Sequence, residues 1–119
     1  MNDIKNPKKY DLEERTFGFA KRCRDYVKKL VKTLSNIEYG KQLIRSSGSQ
    51  AANYIEANEA LSRKDFVMRA KICRKEAKES RLWISLTEPT EANLKEKEEL
   101  MQEAMELTKI FGSIVENSK

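Results

Sequence analysis

The chain has 119 residues, 36% charged and 39% hydrophobic, with no histidine and a net charge of +5. That length suits one domain, residues 1–119, with a real core but no second one. Four glycines and two prolines are too few for a turn-rich β protein, and no apolar run is long enough to span a bilayer. Without histidine, Ser–His, Cys–His and histidine–zinc arrangements are impossible within one chain, so neither an enzyme nor a metal or cofactor site is expected.

Residues 1–10 are polar, basic and aperiodic, and read as a loose arm. No apolar segment follows them, so no secretory signal is predicted and a cytoplasmic location is expected. Asp11-x-x-Glu14 has the form of a capping box. The predicted first helix carries apolar or small residues at Leu12, Phe17, Ala20, Cys23, Val27, Leu30 and Leu34. Its outer face holds Lys21, Arg22, Arg24, Lys28, Lys29 and Lys32. Ser35-Asn36-Ile37-Glu38 reads as a second capping box, so the first connection is short and the neighbouring helices are predicted antiparallel.

The central helix contains Gln42–Asn58, QLIRSSGSQAANYIEAN, and runs to about Ala60. One stripe is apolar or small: Leu43/Ile44, Ser47, Ala51, Tyr54/Ile55, Asn58 and Leu61. A second is polar at the same period: Gln42, Arg45/Ser46, Ser49, Asn53 and Glu56. A wet helix face normally carries long Lys and Glu chains, whereas these short ones let another backbone come close. This helix is predicted to be touched on more than one side.

Ser62-Arg63-Lys64-Asp65 starts the third helix, whose seam is Phe66, Ala70, Cys73, Ala77, Ser80 and Ile84. Beside it lie Ile72, Glu76, Glu79, Trp83 and Leu86. Because both seams are small in the middle, helices two and three are the predicted tight contact. Thr87-Glu88-Pro89-Thr90 breaks the chain. The fourth helix then shows Leu94, Leu100, Ala104, Leu107, Phe111 and Ile114, close to a heptad seam. The fold class is all-α, an antiparallel up-down-up-down four-helix bundle. Cys23 and Cys73, isolated within helical patterns, are read as reduced core thiols.

Charge is uneven along the chain: residues 1–35 carry +5, 36–61 carry −1, 62–88 carry +4 and 89–119 carry −3. Basic surface therefore belongs to helices one and three, and helix four is the acidic side.

Several stretches carry a specific likeness: Asp11-Leu12-Glu13-Glu14-Arg15-Thr16-Phe17, Gly40-Lys41-Gln42-Leu43-Ile44-Arg45-Ser46-Ser47-Gly48-Ser49, Ala52-Asn53-Tyr54-Ile55-Glu56-Ala57, Asp65-Phe66 and Lys75-Glu76-Ala77-Lys78-Glu79-Ser80-Arg81-Leu82-Trp83-Ile84. In this order, over nearly the whole chain, they resemble the 23S rRNA intervening-sequence protein family, also called S23 ribosomal or four helix bundle protein. Gln50 departs from the family pattern, where an apolar residue usually follows the serine. The resemblance implies a left-handed four-helix bundle that assembles into a homopentameric ring, with no catalytic residue. It extends to accessory subunits of diversity-generating retroelements, basic rings associated with a reverse transcriptase and nucleic acid.

Three constellations are candidates for function. Arg45 with Glu76 and Glu79 reads as a buried ion-pair network that sets helix register, or as an anion-binding cleft around Arg45. Ser46, Ser49, Asn53 and Glu56 form either an intrachain polar layer or a surface for another subunit or a ligand. Lys21, Arg22, Arg24, Lys28, Lys29 and Lys32, with Arg69, Lys71, Arg74, Lys75, Lys78 and Arg81, are the candidates for RNA or DNA contact. Tyr26 and Trp83 are candidates to stack on unpaired bases, Trp83 being equally placed for the core. The alternative is a protein-interaction scaffold that docks an enzyme of the reverse-transcriptase kind. Lys21–Leu34 also resembles a membrane-surface helix, but its apolar face is needed in the bundle, and no membrane partner is expected. Met68, Ile72, Met101, Met105 and Ile110 lie off the core seams, which points to a homo-oligomer.

Overall fold

The computed structural model describes residues 7–119, with side chains from Leu12 onward. Its elements are α1 (Pro7–Lys28), α2 (Leu34–Asn58), α3 (Arg63–Leu86), a short 3₁₀ turn (Glu91–Asn93) and α4 (Leu94–Asn117), with no strand among the described residues. Residues 1–6 of the expected arm, and the Asp11 side chain of the first capping box, lie outside what is described. Residues 7–10 belong to α1 rather than to an arm. Proline suits this first turn because its missing N–H has no partner to lose there.

The helix starts are set by local hydrogen bonds. Ser62 caps α3 as expected, its Oγ accepting the Asp65 N–H at 3.1 Å. The cap of α2 is Thr33, not Ser35: Thr33 Oγ1 accepts the Asn36 N–H at 3.2 Å. Thr33 is then the extended residue and Ser35 already lies within the first turn.

Buried positions on α1 are Leu12, Thr16, Phe19, Cys23 and Tyr26, with Leu30 just past its end, alternately four and three residues apart. That alternation is the spacing of a heptad seam. Two residues expected in this core are exposed instead, Phe17 at 65% and Leu34; Phe19 and Tyr26 take the inner positions. On α2, Leu43, Tyr54 and Ala57 are buried, together with Gly40, Ser46, Ser47 and Gln50. Ile44, Ile55 and Leu61, expected on the seam, are exposed. The α3 seam follows the sequence closely, with Ala70, Cys73, Ala77, Ser80 and Ile84 all buried. On α4, Leu100, Ala104, Leu107, Phe111 and Val115 are buried while Leu94 is exposed.

Each helix packs on two neighbours in the cyclic order α1, α2, α3, α4; the α2–α3 contact is the broadest and the α1–α4 contact the narrowest. Small residues explain the first. Ser46 and Ser80, both fully buried, share a hydroxyl hydrogen bond of 2.8 Å. One close approach also depends on glycine: a Cβ on Gly40 would lie 2.9 Å from Val27 Cγ1. Across the α2–α3 and α1–α4 pairs the facing residue numbers run in opposite directions. Asn36 meets Glu88 and Asn53 meets Arg69; Arg15 meets Glu103 and Arg22 meets Glu96. The chain extends 44 × 27 × 18 Å, its long axis accommodating helices of about 35 Å.

Candidate functional site

A polar ladder runs along the α2–α3 seam. Arg45 Nε donates to Gln42 Oε1 at 3.3 Å, and its guanidinium reaches Glu76 Oε2 at 3.4 Å and Glu79 Oε1 at 3.3 Å. Ser49 Oγ donates to the same Glu76 oxygen at 3.1 Å. Asn53 Nδ2 donates to the Ser49 carbonyl at 2.9 Å, and Asn53 Oδ1 accepts from Arg69 Nη1 at 2.9 Å. Five residues singled out from sequence, Arg45, Ser49, Asn53, Glu76 and Glu79, thus meet within one chain. Glu56 is exposed and joins none of these bonds among the described residues. The Arg45 side chain is 50% exposed and that of Glu76 only 6%. The carboxylate therefore carries the desolvation while the guanidinium stays wet, and an anion arriving at Arg45 would displace two carboxylates already there.

Beneath the ladder the seam contains polar groups without protein partners. Gln50 is fully buried and neither its Nε2 nor its Oε1 has a hydrogen-bond partner; Glu76 Oε1 is in the same position. Nearby, Cys73 Sγ lies 3.5 Å from the Gln50 carbonyl, to which it donates. Burial pushes the Cys23 and Cys73 thiols up to about 12, far from the thiolate that nucleophilic chemistry needs.

The basic residues divide into two kinds. Arginines are engaged: Arg22 with Glu96 and Glu99 across to α4, Arg24 with Asp25, Arg69 with Asn53. Arg74 is half-buried, its stem 3.8 Å from where a Cβ on Gly112 of α4 would sit. The lysines are different. Lys21, Lys28, Lys29 and Lys32 at α1, and Lys71, Lys75 and Lys78 on α3, are exposed, and so is Arg81. None has an acidic partner among the described residues. Because α1 and α3 are diagonal in the cyclic order, these groups form two basic edges on opposite corners rather than one patch.

Neither aromatic nominated for stacking is available for it. Tyr26 is 1% exposed, and its hydroxyl lies 2.7 Å from Thr87 Oγ1. Trp83 packs against the core and stacks on Tyr39 with ring centroids 6.0 Å apart, its Nε1 buried.

Two features escape the sequence reading. The first is an ion-pair seam between α1 and α4. Arg15 Nε and Nη2 grip both Glu103 oxygens at 2.7 and 2.9 Å, and Nη2 also reaches Glu106 at 2.7 Å. Its signal was present as arginines seven residues apart facing glutamates at 96, 99, 103 and 106. The second is a clasp at the end of the bundle where the α1–α2 and α3–α4 connections meet. Buried Asn36 donates to the Val31 and Glu88 carbonyls at 3.0 and 3.1 Å and accepts the Glu88 N–H at 2.9 Å. Lys97 Nζ caps the same corner by donating to the Thr87 carbonyl at 2.9 Å. No local pattern announces a bond spanning fifty residues.

Grooves flank the bundle on two sides. Between α1 and α2 a space of about 340 Å³ is lined by Val27, Val31, Lys32, Ile37, Lys41 and Ile44 among others. Between α3 and α4 a space of about 350 Å³ is lined by Lys78, Arg81, Leu82, Ser85, Met101, Met105 and Thr108. No group of three or more metal-ligating side chains occurs among the described residues. None of their helices is long and apolar enough to cross a membrane.

These features define a four-helix protein with two wet basic edges and a polar internal seam. The chain belongs to the 23S rRNA-intervening sequence protein family, whose pattern matches residues 8–113. It is also similar to a solved protein of unknown function from the S23 ribosomal protein family of Bacteroides thetaiotaomicron. The two are 32% identical with a TM-score of 0.79, over 92% of this chain and 98% of that one. No curated protein matches the chain.

Proposed function

We propose that this protein is a non-enzymatic, homo-oligomeric bundle that associates with structured RNA, its helices arranged up-down-up-down. The opposed residue numbers of the α2–α3 and α1–α4 pairs support that arrangement. The observation carrying the RNA reading is a division among cations. Arg22 and Arg69 are spent on partners across the seams and Arg24 on Asp25, while seven lysines and Arg81 stand in solvent at α1 and α3 without an acidic partner among the described residues. Free, mobile ammonium groups at a rigid edge suit phosphates, whose neutralisation releases counterions. A family named for sequences within 23S rRNA genes points the same way.

Exposed apolar surface supports the assembly part of this reading. Ile37, Ile44 and Ile55 on α2, with Met68 and Leu82 on α3, are exposed. Of the five residues expected from sequence to be left uncovered only Met68 is, since Met101 and Ile110 pack against the core and Ile72 and Met105 are half-buried. A pentameric ring, as the family resemblance implies, would multiply the two basic edges around one rim. The α3–α4 groove favours a second reading, a protein scaffold, because cations over a Leu–Met floor also suit an acidic apolar segment.

Fluorescence anisotropy with a structured RNA and a matched duplex DNA, at low and near-physiological salt, tests the proposal. Binding that survives physiological salt and prefers RNA is expected. Affinity no better than that of any +5 protein overturns it and turns attention to protein partners.

A further inference from the structure

The burial of Tyr26 and Trp83 leaves the basic edges without the aromatic platform first sought there, but α1 presents another. Phe17 is 65% exposed, and Phe17, Lys21, Arg24 and Lys28 are four, three and four residues apart. That spacing puts them in one line on a helix surface. The buried positions Phe19, Cys23 and Tyr26 interleave with this line and point the other way. A phenyl ring here contributes nothing to the core. On the C-terminal side of the ring the line is cationic, while Glu14 is exposed on its N-terminal side, so the charge favours a polyanion running from Phe17 toward Lys28. The ring can take the face of a base while the Lys21 ammonium one turn on, and the Lys28 ammonium two turns further, take flanking phosphates. Arg24 between them is paired with Asp25. Only an unpaired base offers such a face, since bases inside a duplex are already stacked.

We infer that the Phe17–Lys28 line of α1 is a binding track for single-stranded nucleic acid, with Phe17 stacking on an unpaired base. This rests on the RNA-association reading and adds to it a preference for single strands or loops at this edge. The α3 edge, whose exposed cations have no exposed aromatic in line with them, takes phosphates alone.

The test is anisotropy with fluorescein-labelled twelve-nucleotide single strands, RNA and DNA of one sequence, and the corresponding duplexes. It uses the wild-type chain, Phe17→Ala and Phe17→Tyr. Phe17→Ala is expected to lower single-strand affinity by about five-fold or more, leave duplex affinity unchanged, and be rescued by tyrosine, which also stacks. The RNA and DNA strands separate a stacking preference, shared by both, from 2′-hydroxyl recognition, seen with RNA alone. Equal losses on single strand and duplex, or no loss at all, overturn the track while leaving general phosphate binding standing. Wild-type protein that binds none of the probes at physiological salt removes the RNA reading and the track with it. A Phe17→Ala chain that sediments as a smaller species than the wild type assigns the ring to a subunit contact, and also overturns the track.

Discussion

The α2–α3 and α1–α4 seams join helices of similar length by opposite means. The first is built around small side chains, with the Ser46–Ser80 pair at its buried middle and the Asn36 clasp at its end, and carries ion pairs only along its wet margin, where Arg45 meets Glu76 and Glu79. The second is the narrowest contact in the bundle and relies on Arg15 and Arg22 facing four glutamates at the surface. Close packing is insensitive to salt and pH but intolerant of volume and of orphaned polar atoms. Exposed ion pairs tolerate substitution and respond to both salt and pH. One half of the bundle is therefore fixed by shape and the other tuned by charge.

The largest expected effect comes from the clasp. Asn36→Ala leaves the Glu88 carbonyl and N–H without their partner, while the Val31 carbonyl keeps the Thr33 N–H, and should lower the unfolding free energy by about 3 kcal/mol in a urea titration. Next, and opposite in sign, Gln50→Met replaces an amide with no partner by an apolar chain of similar length. It should raise stability by about 1–2 kcal/mol. A lower urea midpoint would mean that the Gln50 amide is satisfied in solution.

Charge effects on the other seam are smaller. An Arg15/Glu103 double-mutant cycle should give a coupling of about 1 kcal/mol or less, shrinking in high salt. Hydrogen bonds from Gln102 and Arg15 hold the Glu106 carboxyl below its usual range. A depressed folded value means its contribution is complete above the unfolded carboxyl pKa of about 4.3. That contribution is lost as pH falls through the folded value. Glu106→Gln should accordingly flatten the acid limb of a stability–pH curve and leave the neutral limb unchanged. A flattened neutral limb would place the titration elsewhere.

What was legible in the sequence follows the same division. The α3 seam was readable because Ala70, Cys73, Ala77 and Ser80 leave a stripe of small residues that only a close neighbour explains. On α1, Phe17 and Phe19 are two residues apart and cannot share a face, and periodicity alone placed Phe17 in the core where the structure buries Phe19. The choice is made by Thr16 and Tyr26, polar residues that are buried because Thr16 Oγ1 bonds the Glu13 carbonyl and Tyr26 finds Thr87 across the bundle. The Thr16 bond is local, but a partner for Tyr26 sixty-one residues away leaves no trace in a helical pattern. The same limit applied to the candidate site. Which residues are basic was plain, but that Arg15, Arg22 and Arg69 turn to partners on other helices while the lysines of α1 and α3 stay free depends on what lies across each seam.

The most direct test of the account is the salt dependence of RNA binding in lysine variants of each edge. Lys28→Gln on α1 and Lys78→Gln on α3 should each weaken binding whatever the RNA sequence. Each should also lower the slope of log affinity against log salt by about one. Wild-type binding that disappears near physiological salt, or slopes that stay the same in both variants, would contradict the claim that these edges are the working surface of the protein.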